Sequence, residues 1–527
     1  MTDAVRPPQP QVAIPRVSLP ELILVRAEGY GSKLALIDGL TGQGTTFGDL
    51  AVRVRRTAAG LHRLGIGRSD TLLLLASNHP DYASIFLAAA LLGGILTTIN
   101  PAATPDEVAR QARDSNARYL FTVPELLGRV RTVHPWSGII TPEGTHDTFS
   151  LADLGKTEGT FPKPTFDPES DVVVLPYSSG TTGTSKGVRL THTNLVANLH
   201  QIATPIFSGE DVIIGLAPFF HIYGLTVVLL LGLFLGATDV VLPRFEVQTF
   251  ADAVRRYGVT HANLVPPLIL ALAKHPSLEP QMLESLKTVQ SGAAPLPPDV
   301  ASAFSLRFHC RVLQGYGLTE TSPVTHVAPR SRHDIPVESI GPPVANTECE
   351  LRDVQTGRTL GVGSRGELYV RGPQVMQGYL NAPEKTDEMI DAQGWLRTGD
   401  IAWMDDQGNF YIVDRAKELI KYKAYPVAPA ELEAILLTHP DVDDAAVIPS
   451  PDTVAGEVPK AYVVARRSVP ESALLAWVAE RVAPYKKIRR IEFIDAIPKS
   501  ASGKILRRML IEKDRVRAAE HRVDHLG

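Results

Sequence analysis

The sequence predicts an α/β protein: a large N-terminal domain of parallel-type sheets covered by helices, carrying a small β-barrel-like segment, followed by a small α+β C-terminal domain. Three observations predict it. Up to about Gly341, apolar strand-like runs alternate with helical stretches, the pattern of parallel sheets with covering helices. Past Gly341 the texture changes to short alternating strands between glycine turns, GELYVRG and GNFYIVD, which reads as antiparallel or barrel-like. From Glu418 onward charge density rises, and helices (APAELEAILLTH, ALLAWVAERVA) alternate with short strands (DAAVIP, KAYVVAR, IRRIEFID), as in a compact α+β unit.

Taken in order, the first region offers a strand TLLLLA from Thr71, a helix from about Tyr82 to Leu92, and a strand ILTTI from Ile95. Strands VVVLP from Val172, VIIGLAP from Val212 and TDVVLP from Thr238 follow. A helix around Phe250 to Tyr257, a strand-like NLVPP, a helix near Leu268 to Lys274, and strands LKTVQSG from Leu286 and RVLQGYG from Arg311 complete it. Several of these runs end in glycine-rich turns, the edges at which open α/β sheets bind ligands. The expected division is a large domain over residues 1–414, its β-rich part at about 341–414, a hinge at 415–417 and a small domain over 418–527.

With 527 residues, 44% of them hydrophobic and 21% charged, the chain has the balance of an ordinary globular protein able to bury a sizeable core. A net charge of −4 gives no electrostatic case for nucleic acid or an anionic membrane as partner. Cys310 and Cys349, the two cysteines, lack metal-ligand spacing and suggest neither a disulfide framework nor zinc, which fits a reducing cytoplasmic setting. The start, MTDAVRPPQPQVAIP, reads as a flexible proline-rich lead-in and not a signal peptide. The most apolar run, Gly224 to Ala237, falls short of the roughly 20 residues a membrane span needs and reads as a buried helix.

The segment Tyr177 to Gly187, YSSGTTGTSKG, is the strongest chemical signal. Glycines let backbone amides close around phosphate oxygens, hydroxyls add donors, and lysine adds a mobile positive charge. Its spacing is not that of the Walker loop, because no glycine directly precedes the lysine, so kinase or GTPase chemistry is not implied.

This loop resembles the signature of the adenylate-forming superfamily, which includes acyl-CoA synthetases, peptide-synthetase adenylation domains and luciferases. Further matching segments follow in the family's order: PFFHIYG from Pro218, SGAAPL from Ser291, QGYGLTE from Gln314, GELYVRG from Gly366, GWLRTGD from Gly394, DRAKELIKYK from Asp414 and IPKSASGKILRR from Ile497. Through PYSSGTTG, PFFHIYG and KELIKYK the chain is most similar to the 4-coumarate:CoA ligase branch. The resemblance implies an ATP-dependent carboxylic acid:CoA ligase, with ATP, Mg²⁺ and coenzyme A as cofactors and co-substrates and a mobile C-terminal domain.

By this resemblance Ser178, Ser179, Gly180, Thr181, Thr182, Gly183 and Lys186 hold the ATP phosphates, and Glu320 with Thr182 holds magnesium. Gln314, Gly315, Tyr316 and Thr319 line the adenine and α-phosphate region, Asp400 takes the ribose hydroxyls, and Arg415 joins the ribose or phosphate side. His221 stands beside the reacting carboxylate. Lys504 serves adenylation, Lys421 serves thioester formation from another face of the same small domain, and Lys417 belongs to the hinge. Lys423 and Ala424 border the pantetheine channel, and Arg244 meets a CoA phosphate. The ligase pattern has glycine and glutamine where this chain has Ala424 and Pro426; proline removes a backbone donor there, which bears on the CoA step alone.

The acid pocket implied by the same comparison comprises Tyr223, Thr226, Val227, Ser291, Gly292, Ala293, Ala294, Gly315, Gly317, Pro323 and Val324. Small and apolar residues dominate and none is charged, so a monocarboxylate with an apolar tail is expected. An aryl or phenylpropanoid acid leads; a medium- or long-chain fatty acid, or loading of a separate acyl carrier protein, are the alternatives. Luciferase-like oxidation and a non-catalytic nucleotide sensor complete the field. Joint presence of Lys186, Glu320, Asp400 and Lys504 argues against the sensor.

Overall fold

The computed structural model describes residues 11–179, 185–415, 418–422, 425–452, 455–500 and 503–523. Two eight-stranded sheets form the bulk of the molecule. The first runs Val324–Val327, Arg311–Gly317, Thr288–Ser291, His261–Leu264, Val212–Gly215, Thr238–Val241, Leu34–Asp38, Gly44–Thr46. Its inner pairs are parallel and both edge pairs antiparallel. The second runs Gly378–Tyr379, Ser185–Thr191, Val172–Ser179, Ile95–Thr98, Thr71–Leu75, Ala117–Thr122, Gly138–Thr141, Phe149–Ser150. Parallel pairing holds from Val172–Ser179 onward, with antiparallel pairing on the other side.

Central strands such as Thr71–Leu75 are buried along their whole length, which is why they read as continuous apolar runs and not as alternating ones. The helix expected at Tyr82 to Leu92 spans Asp81–Leu91, and every residue of it is buried. Between the sheets lies one continuous core, from Leu19 through Phe86, Val196 and Leu229 to Phe410. The strand-like NLVPP resolves into the strand His261–Leu264 and the helix Pro266–Lys274, because paired prolines suit the first helical turn, where no N–H is needed.

Beyond Gly341 four strands, Glu348–Arg352, Gly366–Arg371, Leu396–Met404 and Phe410–Arg415, form an antiparallel sheet in sequence order. After Glu418 a five-stranded sheet is built on the long hairpin Val442–Asp452/Gly456–Ala465, with Ile420–Tyr422, Tyr425–Val427 and the parallel strand Arg490–Phe493. The helices Pro429–Leu437 and Glu471–Ala479 cover it with a core of their own around Leu432, Val447, Val463 and Leu474. Among the described residues no helix is long and apolar enough to cross a membrane.

Two local readings change. The run from Gly224 is a π-helix, Tyr223–Leu230, that passes into a short α-helix, Leu231–Leu235, and all but the last of these residues are buried. The phosphate segment is not a loop leaving a strand: Val172–Ser179 and Ser185–Thr191 are the arms of one antiparallel hairpin, with Ser178 opposite Lys186. Only its tip, residues 180–184, lies outside the described residues.

Candidate active site

The hairpin is held from three sides. Tyr177 donates from its hydroxyl to Asp114 Oδ2 at 2.6 Å, and burial together with Asp114 holds that phenol well above its usual range. Gly187 accepts from the Leu380 N–H at 2.8 Å, and Gly378–Tyr379 pairs with Val188 and Arg189. Behind it the helix His192–Ile202 starts at a capping box of Thr191 and Asn194, which satisfies its first amides, while the Asn194 side-chain amide donates to the carbonyls of Pro373 and Val375. The lysine therefore projects from a stiff ribbon.

That ribbon forms one wall of a cavity of about 490 Å³. Ser178 and Lys186 line it with Gly315, Tyr316, Gly317, Thr319 and Glu320 from the strand Arg311–Gly317 and the turn after it. His221, Tyr223 and Val227 enter from the π-helix segment, Ser291, Gly292 and Ala293 from the end of the neighbouring strand, and Pro323 and Val324 from the turn opposite. Lys504 closes it from the C-terminal region, on a turn in which its N–H donates to Ser500 Oγ at 3.2 Å.

Other expected residues lie elsewhere. The Gln314 side chain is turned off the cavity and donates to the Val337 carbonyl at 2.6 Å. Asp400 stands behind Tyr316, whose hydroxyl donates to Asp400 Oδ2 at 2.5 Å. Thr226 is fully buried with no hydrogen-bond partner for its hydroxyl among the described residues, and Ala294 is one residue past the wall. Arg244 is exposed and apart from the cavity. Lys421 is exposed as well, its N–H donating to Glu457 Oε2 at 2.8 Å. Gly180, Thr181, Thr182, Gly183, Lys417, Lys423 and Ala424 lie outside the described residues, as do the side chains of Ser179 and Arg415.

The charged end of the cavity turns on Glu320, 7% exposed. Its Oε1 accepts from Ser178 Oγ at 2.9 Å and from the Tyr379 hydroxyl at 2.8 Å. Lys186 Nζ sits 5.0 Å from the centre of the Tyr379 ring, within cation–π range. Burial, then the charge of Glu320 and this hydrogen bond, push the Tyr379 phenol far up, so it stays a donor at neutral pH. Among the described residues no group of three His, Cys, Asp or Glu could form a metal cage. A single carboxylate beside the lysine-bearing hairpin suits magnesium instead, an ion held by one or two carboxylates that completes its shell with phosphates and water.

At the other end His221 Nδ1 accepts from the Tyr223 N–H at 3.2 Å, which leaves the proton of the neutral ring on Nε2. Burial among apolar side chains pulls its pKa down to about 4, so the ring is neutral at pH 7 and can donate from Nε2 without carrying charge. Gly292 and Gly317 give this end of the cavity its width. A Cβ on Gly292 would lie 3.2 Å from the Tyr223 ring, and one on Gly317 would overlap the Pro323 carbonyl.

Several wall residues escaped the motif reading, Tyr379, Gln290 and Asn100 among them. Gln290 adjoins the segment that starts at Ser291, but nothing local marks it or Tyr379 as facing a site. Tyr379 gets there through pairing with Val188, far away in sequence.

The model of the AMP-binding enzyme family matches residues 24–380, and that of the AMP-binding enzyme C-terminal domain matches residues 431–504. The chain belongs to the AMP-binding enzyme family. Among curated members it is 42% identical to 4-coumarate–CoA ligase 3 of Oryza sativa subsp. japonica, over 94% of this chain and 92% of that one. It is 41% identical to 4-coumarate–CoA ligase 2 of Petroselinum crispum, over 92% and 91%. Solved structures of similar fold include the anthranilate CoA ligase AuaEII in complex with anthranoyl-AMP, with a TM-score of 0.88, 26% identity and coverage of 96% and 99%. A benzoate CoA ligase from Burkholderia xenovorans LB400 aligns with a TM-score of 0.85, 27% identity and coverage of 94% and 100%. Within this AMP-binding enzyme, the first family match contains most of the cavity wall and the second ends at Lys504.

Proposed function

We propose that this AMP-binding enzyme is an ATP-dependent carboxylic acid:CoA ligase that converts an aryl acid of the 4-coumarate type to its acyl-adenylate and then to the acyl-CoA. The observation that carries the reading is that Lys186, Glu320, His221 and Lys504 face one cavity whose other arm is apolar. In the first step a carboxylate oxygen attacks the α-phosphorus of ATP and pyrophosphate leaves. Anions must be brought together, so positioning and charge neutralisation dominate the barrier.

Lys186 and the hydroxyls of the hairpin bind the outer phosphates, and Lys504 places its ammonium at the α-phosphate and carboxylate. His221 donates from Nε2 to the carboxylate, and Asp400 behind Tyr316 holds the ribose side. Magnesium, held by Glu320 and the phosphates, would supply charge neutralisation on the departing pyrophosphate. In the second step the CoA thiol attacks the acyl carbon and AMP leaves. Lys421 serves this half, brought in by rotation of the region after the 415–417 hinge. Arg244, Lys423 and Ala424 are assigned to CoA. Both cysteines are buried free thiols, which suits the reducing cytosol to which we assign the enzyme.

Support for the aryl acid comes from the 4-coumarate–CoA ligases at about 41% identity and from the uncharged acid arm. The test is to follow pyrophosphate and acyl-CoA together over a panel of cinnamates, benzoates and fatty acids. Equal amounts of both, greatest on cinnamates, are expected. Pyrophosphate without thioester would mean another acceptor, and release from fatty acids alone would overturn the acid class.

A further inference from the structure

The helix Pro266–Lys274 touches the region after Glu418 at both of its ends. At its first turn Gly503, the residue before Lys504, lies on the Pro267 ring: a Cβ there would stand 3.0 Å from Pro267 Cδ and Cγ. At its last turn Lys274 Nζ reaches the Val442 carbonyl at 3.5 Å, where the hairpin Val442–Asp452/Gly456–Ala465 begins. The helix is a fixed seat. The Arg307 guanidinium donates to the carbonyls of Ala273, His275 and Leu278 at 2.7, 2.7 and 2.6 Å, which ties down the helix end.

Across this contact the two touching points are joined to each other. Asp444, two residues past Val442, accepts from Lys499 Nζ at 2.6 Å, and Lys499 pairs with Ile505 across the turn that carries Lys504. Inside the turn the Ser500 N–H donates to the Lys504 carbonyl at 2.8 Å and the Gly503 N–H to the Ser500 carbonyl at 2.9 Å. Asp443 is taken by Arg466, whose Nη2 donates to Oδ1 at 2.6 Å. Both acidic neighbours of Val442 thus carry cations of their own, and the Lys274 ammonium meets the carbonyl. A displacement at Val442 is carried to Lys504 through one ion pair and one short turn.

We infer that Lys274 is a positioning residue for adenylate formation: its ammonium on the Val442 carbonyl, with Gly503 seated on Pro267, holds the region after Glu418 in the orientation that brings Lys504 to the cavity. This rests on the ligase reading above, in which the same region turns to offer Lys421 for the second step. Such a turn carries Val442 off Lys274, and an interaction made in one orientation and not in the other shifts the balance between them by its own free energy. A charge at a partly exposed contact contributes about two- to fivefold to such a balance. A carboxylate in its place would oppose the carbonyl as well as Asp443 and Asp444, and so act further in the same direction.

The test measures the two half-reactions separately in the full-length protein: pyrophosphate release from ATP and 4-hydroxycinnamate without CoA, and thioester formation from a supplied acyl-adenylate and CoA. Lys274→Glu should slow the first by about five- to tenfold, leave the second unchanged or faster, and melt with the wild type. Lys274→Arg should keep the wild-type rate of the first step. Lys287→Glu, the same change of charge at another exposed lysine, should leave both steps as they are. An equal loss of both half-reactions in Lys274→Glu, or an unchanged first step, overturns the role of Lys274. A wild type that releases pyrophosphate from no acid overturns the ligase reading, and this role with it.

Discussion

At the scale of single residues, Tyr379 is where the two charges of the cavity's charged end meet. Its hydroxyl fixes one oxygen of Glu320 and its ring faces Lys186, so it acts as a positioning residue for both. Tyr379→Phe keeps the ring and deletes the donor, which leaves the buried carboxylate with Ser178 as its remaining partner at that oxygen among the described residues. The expected result is a rise of about tenfold in the magnesium and ATP concentrations needed for half-maximal pyrophosphate release, with the KM for the acid unchanged. Unchanged magnesium dependence would show that Ser178 alone suffices. Lys186 and Glu320 were legible in the sequence because each sits in a dense motif whose residue types match phosphate and metal chemistry. Tyr379 was not legible, because an aromatic after a glycine is ordinary in any sequence. Gln314 and Thr226 show the reverse: both belong to matching segments, yet strand and helix periodicity turn their side chains away from the cavity.

At the scale of elements, the site depends on close backbone approaches that only glycine permits. A Cβ on Gly224 would overlap the carbonyls of Ala217 and Pro218, and one on Gly317 would overlap that of Pro323. The first contact sets the turn that presents His221, and the second sets the cavity wall at Pro323. Gly317→Ala should lower Tm by several degrees and reduce turnover through the KM for the acid, whereas Gly361→Ala, which meets nothing within 4 Å, should do neither. Thermal melts and acid titrations of the two variants check this. Alternation of strands and helices was readable because buried parallel strands are apolar throughout. The π-helix was not, since a wholly apolar run has no period by which an i→i+5 ladder differs from an ordinary helix. Likewise the hairpin around the phosphate segment is hidden by its glycines and serines, which read as loop until their pairing partners are known.

At the scale of the whole molecule, four histidines are folded into apolar surroundings: burial pulls His192, His221 and His261 down to about 4 and His326 to about 3. Between about pH 6.5 and 4 the unfolded chain binds protons at these positions that the folded chain does not, so stability falls as pH drops through that window. Asp239 acts in the opposite sense. Buried with no side-chain partner among the described residues, its carboxyl is pushed up to about 8, and the folded state keeps a proton that the unfolded state has lost from about pH 4 upward. Its cost therefore grows as pH rises toward 8, and Glu433, which burial pushes up to about 7, acts in the same sense, but four histidines outweigh these two acids below 6.5. Tm should be greatest near pH 6.5 to 7 and should fall toward pH 4.5, and Asp239→Asn should flatten the alkaline side. A Tm that climbs steadily as pH drops to 4.5 would contradict this.

The same scale bears on the chemistry, because Lys504 reaches the cavity from the region after Glu418 while Lys421 of that region lies apart from it. The most direct test is to measure the two half-reactions of Lys504→Ala separately, pyrophosphate release from ATP and 4-hydroxycinnamate, and thioester formation from a supplied acyl-adenylate and CoA. The account predicts that the first falls by on the order of 10²–10³ while the second stays close to wild type. Equal loss of both halves, or retention of the first, would contradict it.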